Sequence, residues 1–135
     1  MLETYRGVVY PHQLDHMGHM NVQWYTSKFD EATWHLFSSV GLTNEYMVKN
    51  SCGMAALEQK TTYEAELMPG DLVCVKSEVL EVKNKTLRFK HYMYNTETQA
   101  LCATTELLAV HLDRIKRKGV KLPEFVSQSV LLQEA

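Results

Sequence analysis

Hydrophobic positions change their period along this chain, and the change maps its architecture. Tyr5 to Tyr10 reads as a short strand that Pro11 stops, because proline cannot donate to a sheet ladder. From Val22 the period turns helical: Tyr25, Phe29, Ala32 and Leu36 recur at spacings of 4, 3 and 4, and Val40 extends the stripe. Asn21 is a good N-cap, since its side-chain oxygen can take a free amide of the first turn, and Gly41 stands where a C-terminal cap is expected. The pattern predicts one long helix from Val22 to Val40, roughly 28 Å at about 1.5 Å per residue. Trp24 and Trp34 fall off the stripe. They point to a second apolar contact, with a partner subunit or a bound group, or else to a core that wraps around the helix.

At Leu57 the period drops to two. Leu57, Thr61, Tyr63, Ala65 and Leu67 alternate with Glu58, Lys60, Thr62, Glu64 and Glu66, the pattern of a half-buried strand with one wet face. Pro69-Gly70-Asp71 turns the chain into Val73, Val75, Ser77 and Val79, and Lys83-Asn84-Lys85 makes a hairpin connection. Leu87, Phe89, His91 and Met93 form the inward set of the next strand, opposite Arg88, Lys90 and Tyr92. Thr96 to Gln99 turns again into a longer strand from Ala100 to Leu112, and Pro123 opens a tail of helical character. Hairpin-linked strands with one wet face make an antiparallel sheet, and the helix covers its other face: an α+β domain of about five strands spanning residues 1–135. One helix cannot cover so wide a sheet, so a homodimer is expected.

Composition excludes more than it selects. A hydrophobic content of 45 % and a charged content of 22 % are ordinary for a globular chain, and a net charge of −2 argues against nucleic acid as the main partner. No stretch reaches the roughly 18 apolar residues of a membrane helix, and the first residues lack the apolar core of a leader peptide. Cys52, Cys74 and Cys102 form no close pair, which fits a reducing compartment, and a cytoplasmic location is expected.

The chemistry concentrates in Leu14-Asp15-His16-Met17-Gly18-His19-Met20-Asn21, a turn feeding the helix start. Helix N-termini leave amides unpaired and carry partial positive charge. A carboxylate beside one can act on a carbonyl while amides hold the oxyanion. Asp15 is the candidate acid or base, although Asp also caps turns. His19 either orients a carbonyl or holds Asp15 or Asn21 by a structural hydrogen bond, Asn21 caps the helix, and Gly18 permits a backbone geometry that a side chain would block. His12, His16 and His19 do not form a metal pattern, because a turn lacks a repeating face and no paired cysteine supports them. No metal or cofactor is expected. His91 reads as a core histidine or a pocket-lining one. Arg88 and Lys90, or Arg114, Lys116, Arg117, Lys118 and Lys121 within eight residues near the C-terminus, are candidates for a polyanionic ligand.

On these residues the chain resembles the 4-hydroxybenzoyl-CoA thioesterase-like branch of the hotdog-fold acyl-CoA thioesterases. The resemblance rests on Asp15, Gly18, His19 and Asn21, with Tyr25 ten residues beyond the Asp and Phe29-Asp30-Glu31-Ala32 following. A second signature is Tyr63-Glu64-Ala65-Glu66-Leu67-Met68-Pro69-Gly70-Asp71, and a third is Val110-His111-Leu112-Asp113 leading to Lys121-Leu122-Pro123-Glu124. The resemblance implies a hotdog: a curved antiparallel sheet wrapped around the long helix, in dimers or tetramers with active sites at the subunit interface. It implies hydrolysis of an acyl-CoA thioester without metal or cofactor. The catalytic carboxylate falls on Asp15 and the carbonyl-polarising amide on or near Val22, where some relatives carry a His, leaving His19 as the substitute imidazole. Gly18, Asn21, Val22, Tyr25 and Arg88 fall to substrate binding, and Glu58 and Glu64 are lesser candidates for the carboxylate. Acyl carrier protein thioesters are a variant substrate, and a non-catalytic acyl-CoA binding module is the alternative on the same fold. A hotdog enoyl-CoA hydratase does not fit, since its Gly-Asp-x-Asn-Pro-x-His context is missing.

Overall fold

The computed structural model describes residues 1–134. In chain order the elements are β1 (Leu2–Val8), a 3-10 turn (Pro11–Gln13), α1 (Val22–Ser39), α2 (Asn44–Lys49), β2 (Cys52–Tyr63), β3 (Leu72–Val82), β4 (Thr86–Asn95), β5 (Leu101–Asp113), β6 (Lys118–Gly119) and α3 (Glu124–Glu134). The strands pair antiparallel in the order β1-β3-β4-β5-β2, with the two-residue β6 added on β5. The chain leaves β1 at one edge of the sheet, runs along α1, and re-enters at the opposite edge as β2. This is the expected hotdog, with α1 lying against the sheet.

The helical stripe does what its spacing predicts. Ala32 and Leu36 are fully buried, Phe29 is 2 % and Tyr25 4 % exposed. The N-terminal half of the stripe packs on Val73, Val75, Met93 and Ala103, and the C-terminal half on Leu87, Phe89, Leu107 and Ala109. Each large side chain so buried contributes about 1.5–3 kcal/mol. Val126 and Val130 of α3 close the second cluster. Gly41, with φ +92°, ends the helix in a conformation that suits glycine, and a Cβ there would lie 2.6 Å from the Phe125 ring. The tail therefore needs that glycine in order to dock.

Three features depart from the periodicity. β2 begins at Cys52, ahead of Leu57, and ends at Tyr63, so Ala65 and Leu67 lie outside it. A register shift between Ala56 and Glu58 breaks the alternation where the pattern seemed to begin, and Leu57 is left 57 % exposed. Beyond Tyr63 the amides of Glu64 and Ala65 both donate to the Cys102 carbonyl, and the chain leaves the ladder. The helix α2 is six residues long, too short for a hydrophobic period to show. Its signal was local: the Thr43 hydroxyl caps it by accepting from the Tyr46 amide at 3.1 Å. The strand β6 is shorter still. All three cysteines are buried and free.

Candidate active site

The turn before α1 is built by its own side chain and backbone. Asp15 Oδ1 accepts from the Met17 amide at 2.8 Å and the His19 amide at 3.2 Å. The Asp15 amide donates to the His19 carbonyl at 2.8 Å, and Gly18 closes the loop by donating to the Asp15 carbonyl. Gly18 has φ +83°, the left-handed region that favours glycine. The Met17 and His19 amides, with the two nearby imidazoles, hold the Asp15 carboxyl below its ordinary value of 3.8. It is a fixed carboxylate at neutral pH, with Oδ2 left free among the described residues.

Two tethers fix this turn against the loop after β2 and against the preceding 3-10 turn. The Met20 amide donates to the Leu67 carbonyl and the Asn21 amide to the Gln13 carbonyl. Asn21 then caps α1: its Oδ1 accepts from Gln23 at 2.9 Å and its carbonyl from Trp24. The Val22 amide finds no acceptor among the described residues, and its side chain is 58 % exposed. A free amide at the positive end of an eighteen-residue helix thus stands one short turn from the Asp15 carboxylate.

The His19 imidazole, unlike its amide, makes no hydrogen bond to the Asp15 side chain. Its Nε2 lies 3.1 Å from Glu66 Oε2, at the mouth of the turn. Glu66, which the alternation predicts on the wet face of a strand, lies instead beyond the end of β2 at Tyr63, where it meets His19. Tyr25 is buried beneath the turn, edge-on to Tyr63 at 5.1 Å. Burial above all, and then the neighbouring Cys102, Tyr63, Glu66 and Asp15, push its hydroxyl up to about 12. It remains a neutral phenol.

Arg88 is not brought to this turn within one chain. It projects from the outer face of β4, where its guanidinium donates to Glu106 at 3.0 Å and lies 3.9 Å from Glu58. Glu58 is thereby committed to that surface pair. Glu64 stays exposed just past the end of β2, and His12 packs edge-on to Trp24. No group of three or more candidate ligands able to hold a metal occurs among the described residues.

A cavity of about 400 Å³ opens between α1 and β2. Its helix wall is the row Thr26, Asp30, Thr33, Trp34 and Phe37, and Met54 and Gln59 face it from β2. Thr26, Asp30 and Thr33 continue from Val22 at spacings of 4, 4 and 3, so one face of α1 runs from the free amide into the cavity. Asp15 itself does not line it. Behind the wall, Thr33 Oγ1 donates to the Phe29 carbonyl at 3.1 Å and lies 2.8 Å from His91 Nε2. His91 Nδ1 lies 2.5 Å from Ser77 Oγ, which meets Thr4 Oγ1 at 2.7 Å. His91 is fully buried between Phe29 and Phe89, and burial pushes it down to about 4. It is a satisfied core histidine, one bond removed from the cavity.

The antiparallel sheet and the long helix against it define a hotdog domain. The chain matches the model of the thioesterase-like superfamily over residues 9–130 and belongs to that family. It is 26 % identical to a betainyl-CoA thioesterase of Pseudomonas aeruginosa over 112 residues, 83 % of this chain and 70 % of that protein. Among solved structures, a hypothetical Staphylococcus aureus protein in complex with CoA superposes with a TM-score of 0.88 at 23 % identity, covering 98 % of this chain and 85 % of that one. A 1,4-dihydroxy-2-naphthoyl-CoA thioesterase from Synechocystis superposes with a TM-score of 0.83 at 17 % identity, covering 97 % and 96 %. These two share the fold.

Proposed function

We propose that the protein hydrolyses an acyl-CoA thioester to the free acid and CoA, with Asp15 as the reacting carboxylate and the Val22 amide polarising the carbonyl. The observation that carries this is an unpaired Val22 amide at the start of α1, reached through a single turn from an ionised, backbone-held Asp15. The free Oδ2 either draws a proton from water as it attacks the carbonyl or attacks directly to form a mixed anhydride that water then opens. Both routes expel CoA as thiolate, and both place negative charge on the carbonyl oxygen, where the helix terminus stabilises it. His19, paired with Glu66, borders the turn as a positioning group, and Tyr25 forms its floor. Membership of the family and the relative's activity on betainyl-CoA support a CoA thioester as substrate.

The same reading makes the working unit a homodimer. β2 pairs with β5 on one side only, and its other edge runs open for twelve residues. Leu57 and Tyr63 on it are 57 % and 50 % exposed. A long open edge of this kind is a pairing site for another strand, and a second copy of β2 covers it.

The deciding experiment is free-thiol release across short, long, branched, aromatic and cationic acyl-CoAs, wild type beside Asp15→Asn. Asn keeps a carbonyl oxygen for the two turn amides, so the fold should persist while turnover falls by about a hundredfold or more. A variant with near-normal turnover would remove Asp15 from the chemistry. Tight binding without hydrolysis of any thioester would leave a binding module.

A further inference from the structure

Taking acyl-CoA thioesters as the substrates, we infer that the cavity between α1 and β2 seats an acyl group bearing a permanent cation, a quaternary ammonium above all, with Asp30 as its counter-charge and Trp34 as its aromatic face. Asp30 stands at the middle of α1, too far from either end to gain from the helix dipole. It is exposed and makes no ion pair or hydrogen bond among the described residues, and it lines the rim of a cavity walled by Phe29, Trp34, Phe37 and Phe89. Trp34 lies one turn further on, 52 % exposed and without a packing partner that would explain it.

The other polar groups of the wall are engaged. Thr33 is bonded to Phe29 and His91, and Gln59 Nε2 donates to Thr105 Oγ1 at 3.2 Å. Arg114, just past β5, lines the same cavity beside Gly53, whose Cβ position its Cδ approaches at 3.8 Å. Gln59 is six residues along β2 from Gly53, roughly 20 Å at 3.3 Å per residue. Of the lining residues that α1 contributes, Asp30 alone is charged, and it is negative. A hydrocarbon acyl group entering here would strip water from that carboxylate without replacing it, and an anionic one would be repelled. A quaternary ammonium has an apolar shell suited to the rings and a charge suited to Asp30. The eight residues from Val22 to Asp30 rise about 12 Å. The cation is thus carried at the end of a chain several carbons long, or the acyl group is compact and its carbonyl is presented by a second copy.

The test compares kcat/KM for isosteres that differ only in charge: trimethylammonioacetyl-CoA against tert-butylacetyl-CoA, and the homologous pair two methylenes longer. Wild type should prefer the cation by about tenfold or more at one of the two lengths. Asp30→Asn should abolish most of that preference, and Trp34→Leu should lower it. The readout is the ratio between isosteres, which a general loss of folding or activity does not move. Equal rates for cation and isostere at both lengths, or a preference that survives Asp30→Asn, would overturn the assignment. Hydrolysis of other acyl-CoAs that depends on Asp15, without a cation preference, would overturn it and leave the thioesterase reading standing. No hydrolysis of any thioester would sink both.

Discussion

Asp15 keeps its charge through two backbone amides rather than through a cationic partner, and this sets how the enzyme should respond to pH. Its carboxyl is held below its ordinary value, so the carboxylate on which the proposed chemistry depends persists through the neutral and mildly acidic range. The acid limb of kcat/KM should therefore fall only below about pH 4, with no limb near neutrality assignable to this group. A pH–rate profile on any hydrolysed thioester checks it. A neutral-range limb that persists in every active variant would place the titrating group elsewhere. Asp15, Gly18, Asn21 and Val22 were legible in the sequence because their roles are local: a turn, a cap and a free amide within eight residues. Glu66 and Asp30 were not. Each reads as a solvated charge on a wet face, and only the tertiary placement of the chain beyond β2 and of the α1–β2 cavity gives them a neighbour.

The element α1 shows how one helix serves two purposes. Its apolar stripe was read correctly from spacing, since burial and period are the same statement for a helix. The adjacent face, with Val22, Thr26, Asp30 and Thr33, carries no such signature because it faces a cavity rather than a core. β2 was misplaced because a bulge shifted its alternation, and α2 was missed because six residues hold no period. Between α1 and the sheet, the Thr33–His91–Ser77–Thr4 chain adds a pH-dependent element to stability. The unfolded chain takes up a proton near the ordinary His value of 6.5 that the folded chain refuses until about 4. Stability should thus fall as pH drops through that window, by up to about 3 kcal/mol, and level off below it. Urea unfolding at a series of pH values measures this. His91→Gln should be less stable at pH 7 by about 2–4 kcal/mol, from lost packing and unpaired hydroxyls, and its remaining stability should lose most of that slope. An unchanged slope would place the titrating group elsewhere.

At the scale of the whole molecule, the Asp15 turn lies near the Tyr63 end of β2, while the cavity extends toward the Cys52 end. Two copies joined antiparallel along their open β2 edges, about a two-fold axis near the Leu57 bulge, bring the Tyr63 end of each beside the Cys52 end of the other. The turn of one chain then meets the cavity of its neighbour, and a compact cationic acyl group bridges the two. This geometry makes a prediction that a site contained in one chain does not share. A heterodimer formed from an Asp15→Asn chain and an Asp30→Asn chain contains, if sites are shared across the axis, one doubly defective site and one intact site. Such heterodimers, purified by two different tags, should regain about half of the wild-type rate on the preferred cationic thioester. If each site lies within its own chain, both sites carry a lesion and the rate stays at or below that of the Asp30→Asn homodimer. Light scattering sets the precondition: the wild type should be dimeric or larger at micromolar concentration, and Leu57→Asp, which sets like charges against each other across the axis, should shift it toward monomer and lower the rate together with the assembly.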